Sequence, residues 1–199
     1  MRLYFKTVLD AYILSISNMI YLAKEFAMIK ITAVDPQDLP ALLRIERLGF
    51  NEAEAGTAAQ YQVRINQLAD TFLAARDADQ LVGFIVGPVV DARFKYIEDW
   101  MYEANVQNRA QPGGNQMIQT IAVDPDYRGQ GIGSSLLQAI EKQAIQNQRH
   151  HIALTCLLDR VPFYEKNGYV NQGIAASAHA GEVWYNMTKL LPSQPQPLG

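Results

Sequence analysis

The spacing of apolar residues changes several times along this chain, and each change marks an element. Met28-Ile-Lys-Ile-Thr-Ala-Val34 alternates apolar with polar and predicts a first strand. Asp35-Pro36 is a helix start, Leu39, Leu42, Leu43, Ile45 and Leu48 supply one helical face, and Gly49-Phe50 ends it. Thr57 is a cap for a second helix running to Ala69. Thr71–Arg76 and Leu81–Gly87 read as strands joined by the turn Asp77-Ala-Asp-Gln80, and Pro88 stops the second. Residues 89–115 lack a strand pattern; Phe94–Ala104 fits a short helix, and Gln111-Pro-Gly-Gly-Asn115 is a turn. Met117–Val123 is a buried strand, and Leu136, Leu137, Ile140 and Ala144 carry helical spacing onward to about Gln148. His151–Cys156 is the next strand, Val161–Asn167 a short helix closed by Gly168, and Tyr169–Ile174 and Glu182–Leu190 a closing pair of strands. Strands and helices mix throughout, so the fold class is α/β (α+β).

Composition narrows the function classes. With 199 residues the chain fills one core, and a domain is expected over 28–191, with a Pro- and Gln-rich tail, 192–199, expected to be disordered. The net charge of -3 argues against a nucleic-acid partner. One cysteine makes no disulfide framework and fits a reducing, cytoplasmic setting. His150 and His151 are adjacent, which is no ligand spacing, and no metal site is expected. Residues 1–27 leave three readings open: a helix packing on the domain or on a second copy, an extension upstream of a start at Met28, or a targeting segment. The uncharged run Ala11–Ala23 is too short to span a bilayer, so stable membrane insertion is not expected.

The chemistry concentrates in Ile121-Ala-Val-Asp-Pro-Asp-Tyr-Arg-Gly-Gln-Gly-Ile-Gly133. A strand ends, glycines follow, and a helix begins. The first N–H groups of a helix have no partner within it and sit at the positive end of its dipole. Glycines let an anion approach them, so a phosphate or pyrophosphate is the natural guest. Gly129, Gly131 and Gly133 do not give the dinucleotide spacing, because Ser134 stands where its third glycine belongs. A Gly-Lys-Ser/Thr ending is also absent.

The pattern Arg128-Gly129-Gln130-Gly131-Ile132-Gly133 resembles the R-x-x-G-x-G pyrophosphate signature of the GNAT superfamily of acetyl-CoA-dependent N-acetyltransferases. Val161-Pro-Phe-Tyr164-Glu-Lys-Asn-Gly168-Tyr169 resembles that family's second block. Leu154-Thr-Cys156 followed by Val161–Tyr164 is most similar to the arylalkylamine (serotonin-type) members. The resemblance implies a central mixed, mostly antiparallel twisted sheet of about six to seven strands, flanked by about four helices, with splayed central strands. Acetyl-CoA would be co-substrate. Ile121, Ala122 and Val123 would meet its pantetheine arm, and Arg128, Gly129, Gln130, Gly131, Ile132, Gly133 and Ser134 its pyrophosphate. Tyr164 would protonate the leaving thiolate; a tyrosine pKa of about 10 suits that donation.

The serotonin-type enzymes carry two strand histidines; Met117 and Gln119 stand there in this chain, and neither takes a proton. Glu46 and His179 are the candidate bases, and a surface or structural role stays open for both. Phe50, with Glu52 and Glu54, would lie by the acceptor entrance, and Gln119 beside the acceptor. Phe94, Tyr96, Trp100 and Tyr102, with Glu98, Asp99 and Glu103, fit an aromatic and acidic acceptor wall, and equally a solvated amphipathic helix. Cys156 reads as a small core residue rather than a nucleophile. The implied reaction is acetyl transfer to a small primary amine, of arylalkylamine or polyamine type, by direct attack in a ternary complex. Transfer to peptide or protein N-termini and a non-catalytic acyl-CoA-binding module are the alternatives. A second copy of the chain is a candidate partner.

Overall fold

The computed structural model describes residues 29–51, 55–102, 106–177 and 179–192. The expectations for residues 1–27, Met28, Glu52, Glu54, Glu103 and most of the tail lie outside these.

Among the described residues nine short strands form two sheets. β1 (Lys30–Ala33), β2 (Phe72–Asp77), β3 (Gln80–Val86) and β6 (Thr120–Val123) pair antiparallel in the order β1-β2-β3-β6. β4 (Val89–Val90), β5 (Asn115–Met117), β7 (His151–Cys156), β9 (Tyr185–Leu190) and β8 (Val170–Ile174) form the second sheet in that order. Its β5–β7 pair is parallel and the rest antiparallel. Four helices flank them: α1 (Leu39–Gly49), α2 (Ala58–Gln67), α3 (Ile132–Gln146) and α4 (Val161–Lys166).

Local chemistry accounts for the helix starts. Asp35 accepts the N–H of Gln37 and Asp38 reaches back to the N–H of Asp35, a capping box that launches the turn before α1. Thr57 and Gln60 make the same reciprocal bond at α2. Three cores result. α1, α2 and the inner face of the first sheet enclose Leu42, Ile45, Tyr61, Phe72 and Phe84. The ring of Tyr61 meets that of Phe84 edge-on at 5.7 Å. α3 and α4 close over Ile85, Ile118, Leu136, Ile140, Leu154 and Tyr164. The long connection after β4 covers the other face of the second sheet through Ile97 and Met101, which pack on Met117 and Ala153.

The structure corrects two expectations. The strand expected over Met117–Val123 is two strands, β5 and β6, broken at Ile118-Gln119. The break lets one chain segment serve both sheets. Gly87 makes it possible: a Cβ there would lie 2.1 Å from the carbonyl oxygen of Met117, closer than any side chain permits. The helix expected over Phe94–Ala104 is only a 3-10 turn, Asp99–Tyr102. Met101 is fully buried, and that anchor holds the turn against the sheet.

Candidate active site

The two sheets part at one place. Met117 of β5 pairs with Ala153 of β7, and the N–H of Ile118 donates to the Ala153 carbonyl at 2.9 Å. β6 then follows β3 and leaves β7 behind. The phase of the β3–β6 ladder shows which groups β6 exposes to the gap. The N–H of Asp124 donates to the carbonyl of Val82 at 2.9 Å. Alternate residues of an antiparallel strand face the same partner. Thr120 and Ala122 therefore turn their N–H and C=O groups to β3, whereas Ile121 and Val123 turn theirs to the gap. The carbonyl of Val123 accepts Nε of Arg128 at 3.1 Å, which places it on that side. An extended ligand arm meets there an unpaired strand edge of the kind that recruits an added strand.

β6 runs directly into the glycine turn. Asp124 is buried, caps the 3-10 turn Pro125–Tyr127 by accepting the N–H of Asp126, and pairs with Arg44 of α1 at 2.7 Å. Gly129 and Gly131 have φ of 78° and 81°. That region favours glycine, and it turns the chain so that α3 begins at Ile132. The first helical bond is the N–H of Ser135 to the carbonyl of Gly131 at 3.0 Å, and no side chain caps the helix. The N–H groups of Ile132, Gly133 and Ser134 thus have no helical acceptor. A Cβ on Gly129 or Gly131 would meet nothing within 4 Å, so open space lies over the turn. An exposed cradle of backbone donors at a helix N-terminus fits a pyrophosphate. Arg128 and Gln130 are exposed beside it.

Tyr164 of α4 is buried with its ring edge-on to Tyr169 at 5.8 Å and to Phe163 at 5.1 Å. Burial first, then the neighbouring Cys156 and Tyr102, push its hydroxyl far above the ordinary tyrosine range, with Arg160 opposing. It stays protonated at neutral pH, but it is a weaker acid than the ordinary tyrosine expected from the sequence, because burial disfavours the phenolate that donation would leave. Cys156 is 4% exposed, and burial pushes its thiol up to about 12, which leaves negligible thiolate for attack.

The acceptor side is assembled from distant segments. Met117 is fully buried in the core. The Nε2 of Gln119 donates to the carbonyl of Met101, pinning the Asp99–Tyr102 turn beside the gap. Tyr102 thereby sets its hydroxyl 3.3 Å from Oγ1 of Thr155 on β7. Phe94 and Trp100 instead meet each other at 5.3 Å and border a separate cavity of about 400 Å³ with Val89, Asp91 and Arg109. Nε1 of Trp100 donates to Glu98 at 2.8 Å on the surface. Of the expected aromatic wall, Tyr102 is the member brought to the gap.

Glu46 is 2% exposed; its Oε1 accepts the N–H of Gly56 at 3.0 Å. Burial raises its pKa, opposed by the Gly56 bond, Tyr61 and Arg64. Tyr61 turns its hydroxyl toward Glu46 and Thr120, and its ring lies 5.1 Å beneath Cζ of Arg64. Phe50 packs partly buried against the first-sheet core, its N–H bonded to the Glu46 carbonyl at 2.9 Å. His179 opens a 3-10 turn, His179–Gly181, before β9, and its side chain lies outside the described residues. Arg64, Tyr61 and Thr155 were not singled out from sequence. Arg64 and Tyr61 share a helix three residues apart, a spacing that any amphipathic helix shows.

Residues 69–171 match the family model for the acetyltransferase (GNAT) domain. No curated protein matches the chain. Among solved structures, Ard1 from Thermoplasma volcanium is similar at 20% identity and a TM-score of 0.65, over 83% of this chain and 99% of that one. The ribosomal-protein-S18-alanine N-acetyltransferase from Escherichia coli is similar at 18% identity and a TM-score of 0.63, over 86% and 99%. The GphF GNAT-like decarboxylase in complex with isobutyryl-CoA is similar at 13% identity and a TM-score of 0.69, over 82% and 100%. At these identities the likeness is one of fold. No group of three or more His, Cys, Asp or Glu among the described residues is placed to hold a metal, and no described helix is long and apolar enough to cross a membrane.

Proposed function

This chain belongs to the acetyltransferase (GNAT) family, and we propose that it moves an acetyl group from acetyl-CoA to the primary amine of a small molecule. One observation carries the reading. The outward backbone groups of Ile121 and Val123 run into the open cradle of Gly129–Ser134, and Tyr164 belongs to the core cluster that the side chains of Ile121 and Val123 pack against.

Acetyl-CoA fits this cradle, because its pyrophosphate needs backbone donors without side chains in front of them. Bound there, it supplies the acetyl thioester, whose C–S bond is exchanged for a C–N bond to the amine. The chain's own residues do the rest. The N–H groups from Gly129 to Ser134 hold the pyrophosphate. The backbone of Ile121 and Val123 aligns the arm, and the N–H of Ile121 polarises the carbonyl being attacked. Tyr164 gives its proton to the departing sulfur. Glu46 takes a proton from the amine, directly or through a water; a carboxylate whose pKa burial has raised is the better base near neutral pH.

The likeness of Leu154–Cys156 and Val161–Tyr164 to the arylalkylamine enzymes supports a small-molecule acceptor. The Asp99–Tyr102 turn, fixed by Gln119 and buried Met101, supports a closed acceptor end rather than a channel for a peptide. Thiol release from acetyl-CoA is the test, with arylalkylamines, polyamines, amino acids and short peptides as acceptors. Turnover confined to small amines is the expected result. Turnover with peptides alone transfers the chain to N-terminal acetylation. Binding of acetyl-CoA with no turnover removes the reading.

A further inference from the structure

Glu46 and Arg64 both lie buried at the proposed acceptor end, and among the described residues neither is within ion-pair distance of an opposite charge. Glu46 is 2% exposed, and its Oε2 has no hydrogen-bond partner. Arg64 is 6% exposed, and its Nε has none. They border the same spot. The N–H of Gly56 bonds Glu46, while a Cβ on Gly56 would come within 3.3 Å of Nη1 of Arg64. Tyr61 reaches both, its ring under the guanidinium and its hydroxyl toward the carboxylate. Glu46 and Arg64 nevertheless form no ion pair with each other or with any other described residue. The Tyr61 hydroxyl is turned toward Glu46 without reaching hydrogen-bond geometry, and Oε1 of Gln119, whose Nε2 is engaged by Met101, is also buried without a partner.

Such a set is costly in the free protein. A buried polar atom without a partner forfeits its hydrogen bonds to water, and an unpaired buried charge forfeits more. The set has a definite complement. Glu46 Oε2 and Gln119 Oε1 need a donor, and the ammonium form in which an amine arrives has only donors to offer them. Arg64 Nε needs an acceptor, and a carboxylate has only acceptors. A polyamine would bring a second cation toward the guanidinium. A plain arylalkylamine would leave Arg64 unanswered.

We propose that the acceptor is an amine that also carries a carboxylate, an amino acid in the broad sense, with its nitrogen held by Glu46 and Gln119 and its carboxylate by Arg64. This rests on the acetyltransferase reading above and names its substrate class. The chemistry of transfer is unchanged: the nitrogen loses a proton and gains the acetyl group, and the carboxylate takes no part in bond making.

Matched pairs test it with the full chain. Phenylalanine is compared with 2-phenylethylamine, 4-aminobutyrate with butylamine, and lysine with cadaverine, by thiol release from acetyl-CoA. The carboxylate-bearing member of at least one pair should be favoured in kcat/KM on the order of 100-fold, the worth of a charge-assisted bond to an otherwise unpaired group. Arg64→Gln should shrink that preference to within about fivefold, with the loss falling on KM, and Arg64→Lys should keep part of it. The wild-type ratio decides even if Arg64→Gln fails to fold. Plain amines turned over as well as or better than their partners overturn the proposal and leave the acetyltransferase reading intact. A preference that survives in a folded Arg64→Gln variant overturns the role of Arg64. No thiol release with any acceptor, despite acetyl-CoA binding, overturns both readings together.

Discussion

The two ends of the cleft are built by opposite means. The proposed donor end is backbone: a strand edge, two glycines with left-handed φ and the first turn of α3, contiguous from Ile121 to Ser134 and exposed at Arg128–Gly131. The acceptor end is side chains. Glu46 comes from α1, Tyr61 and Arg64 from α2, Tyr102 from the long connection, Gln119 from the strand break and Thr155 from β7. Backbone donors aimed at a phosphate work whatever the neighbouring side chains are, so the donor end suits a ligand shared by many enzymes. Buried side chains can be exchanged one at a time, so the acceptor end is where one member's specificity resides.

That contrast makes separable predictions. The largest effect is expected at Tyr164, the proposed proton donor. Tyr164→Phe keeps the ring packing and removes the proton donor, so kcat should fall by about 10²-fold or more, with acetyl-CoA affinity within about twofold. Calorimetry and thiol release measure the two. An unchanged kcat would show that water supplies the proton. Next comes the donor end alone. Gly131→Val forces a β-branched residue to φ near 81°, where glycine is favoured, and turns the cradle N–H groups away. Acetyl-CoA should bind about 30-fold more weakly, at about 2 kcal/mol, while the KM of the amine moves little. Gly131→Asn, which tolerates that conformation, should lose far less. Equal losses from the two would mean that the open space over the turn matters more than its backbone geometry.

The same contrast explains what the sequence disclosed. The turn between Val123 and Leu136 was legible because one contiguous string encodes it. Glycines at the left-handed positions and helical spacing just after them leave few alternatives. The strand-and-helix order followed from periodicity for the same reason. The break at Ile118-Gln119 was not legible, since a stretch with five apolar residues in seven reads as one strand, and the close approach that accompanies the break involves Gly87, some thirty residues earlier. Gln119 was singled out, but its bond to the Met101 carbonyl joins segments with no sequence relation. Arg64 was invisible. On α2 it looks like one more polar position, and only the fold buries it to 6% exposure beside Glu46.

At the acceptor end alone, Gln119→Leu should loosen the Asp99–Tyr102 turn. It removes one hydrogen bond and one unpartnered oxygen from a site that otherwise keeps its volume. The net cost in stability should be about 1 kcal/mol or less, because losing the bond and losing the orphaned oxygen oppose each other. The acceptor KM should rise about fivefold or more and acetyl-CoA affinity should stay. Equal weakening of both ligands would show that the two ends are not independent.

The effect of pH on stability at Glu46 is the most diagnostic of why the acceptor end is charged at all. Glu46 has its pKa raised from 4.5 chiefly by burial, so the folded chain holds a proton there more tightly than the unfolded chain does. Its contribution to stability is therefore fully present below pH 4.5 and is lost as pH rises through the folded value. Glu46→Gln keeps an oxygen for the N–H of Gly56 and cannot ionise. The variant should gain on the wild type as pH increases across that window, by at most about 1.4 kcal/mol per pH unit, and melting curves from pH 4 to pH 8 would trace the gain. Turnover should move the opposite way, because the amide cannot take the amine's proton. A carboxylate that lowers stability at neutral pH and raises activity there is retained for its chemistry. If Glu46→Gln instead lost stability at neutral pH, Glu46 would be a packing residue whose charge Arg64 and Tyr61 already compensate. The pair would then hold the loop at Gly56, and the acceptor would have to be recognised elsewhere in the gap.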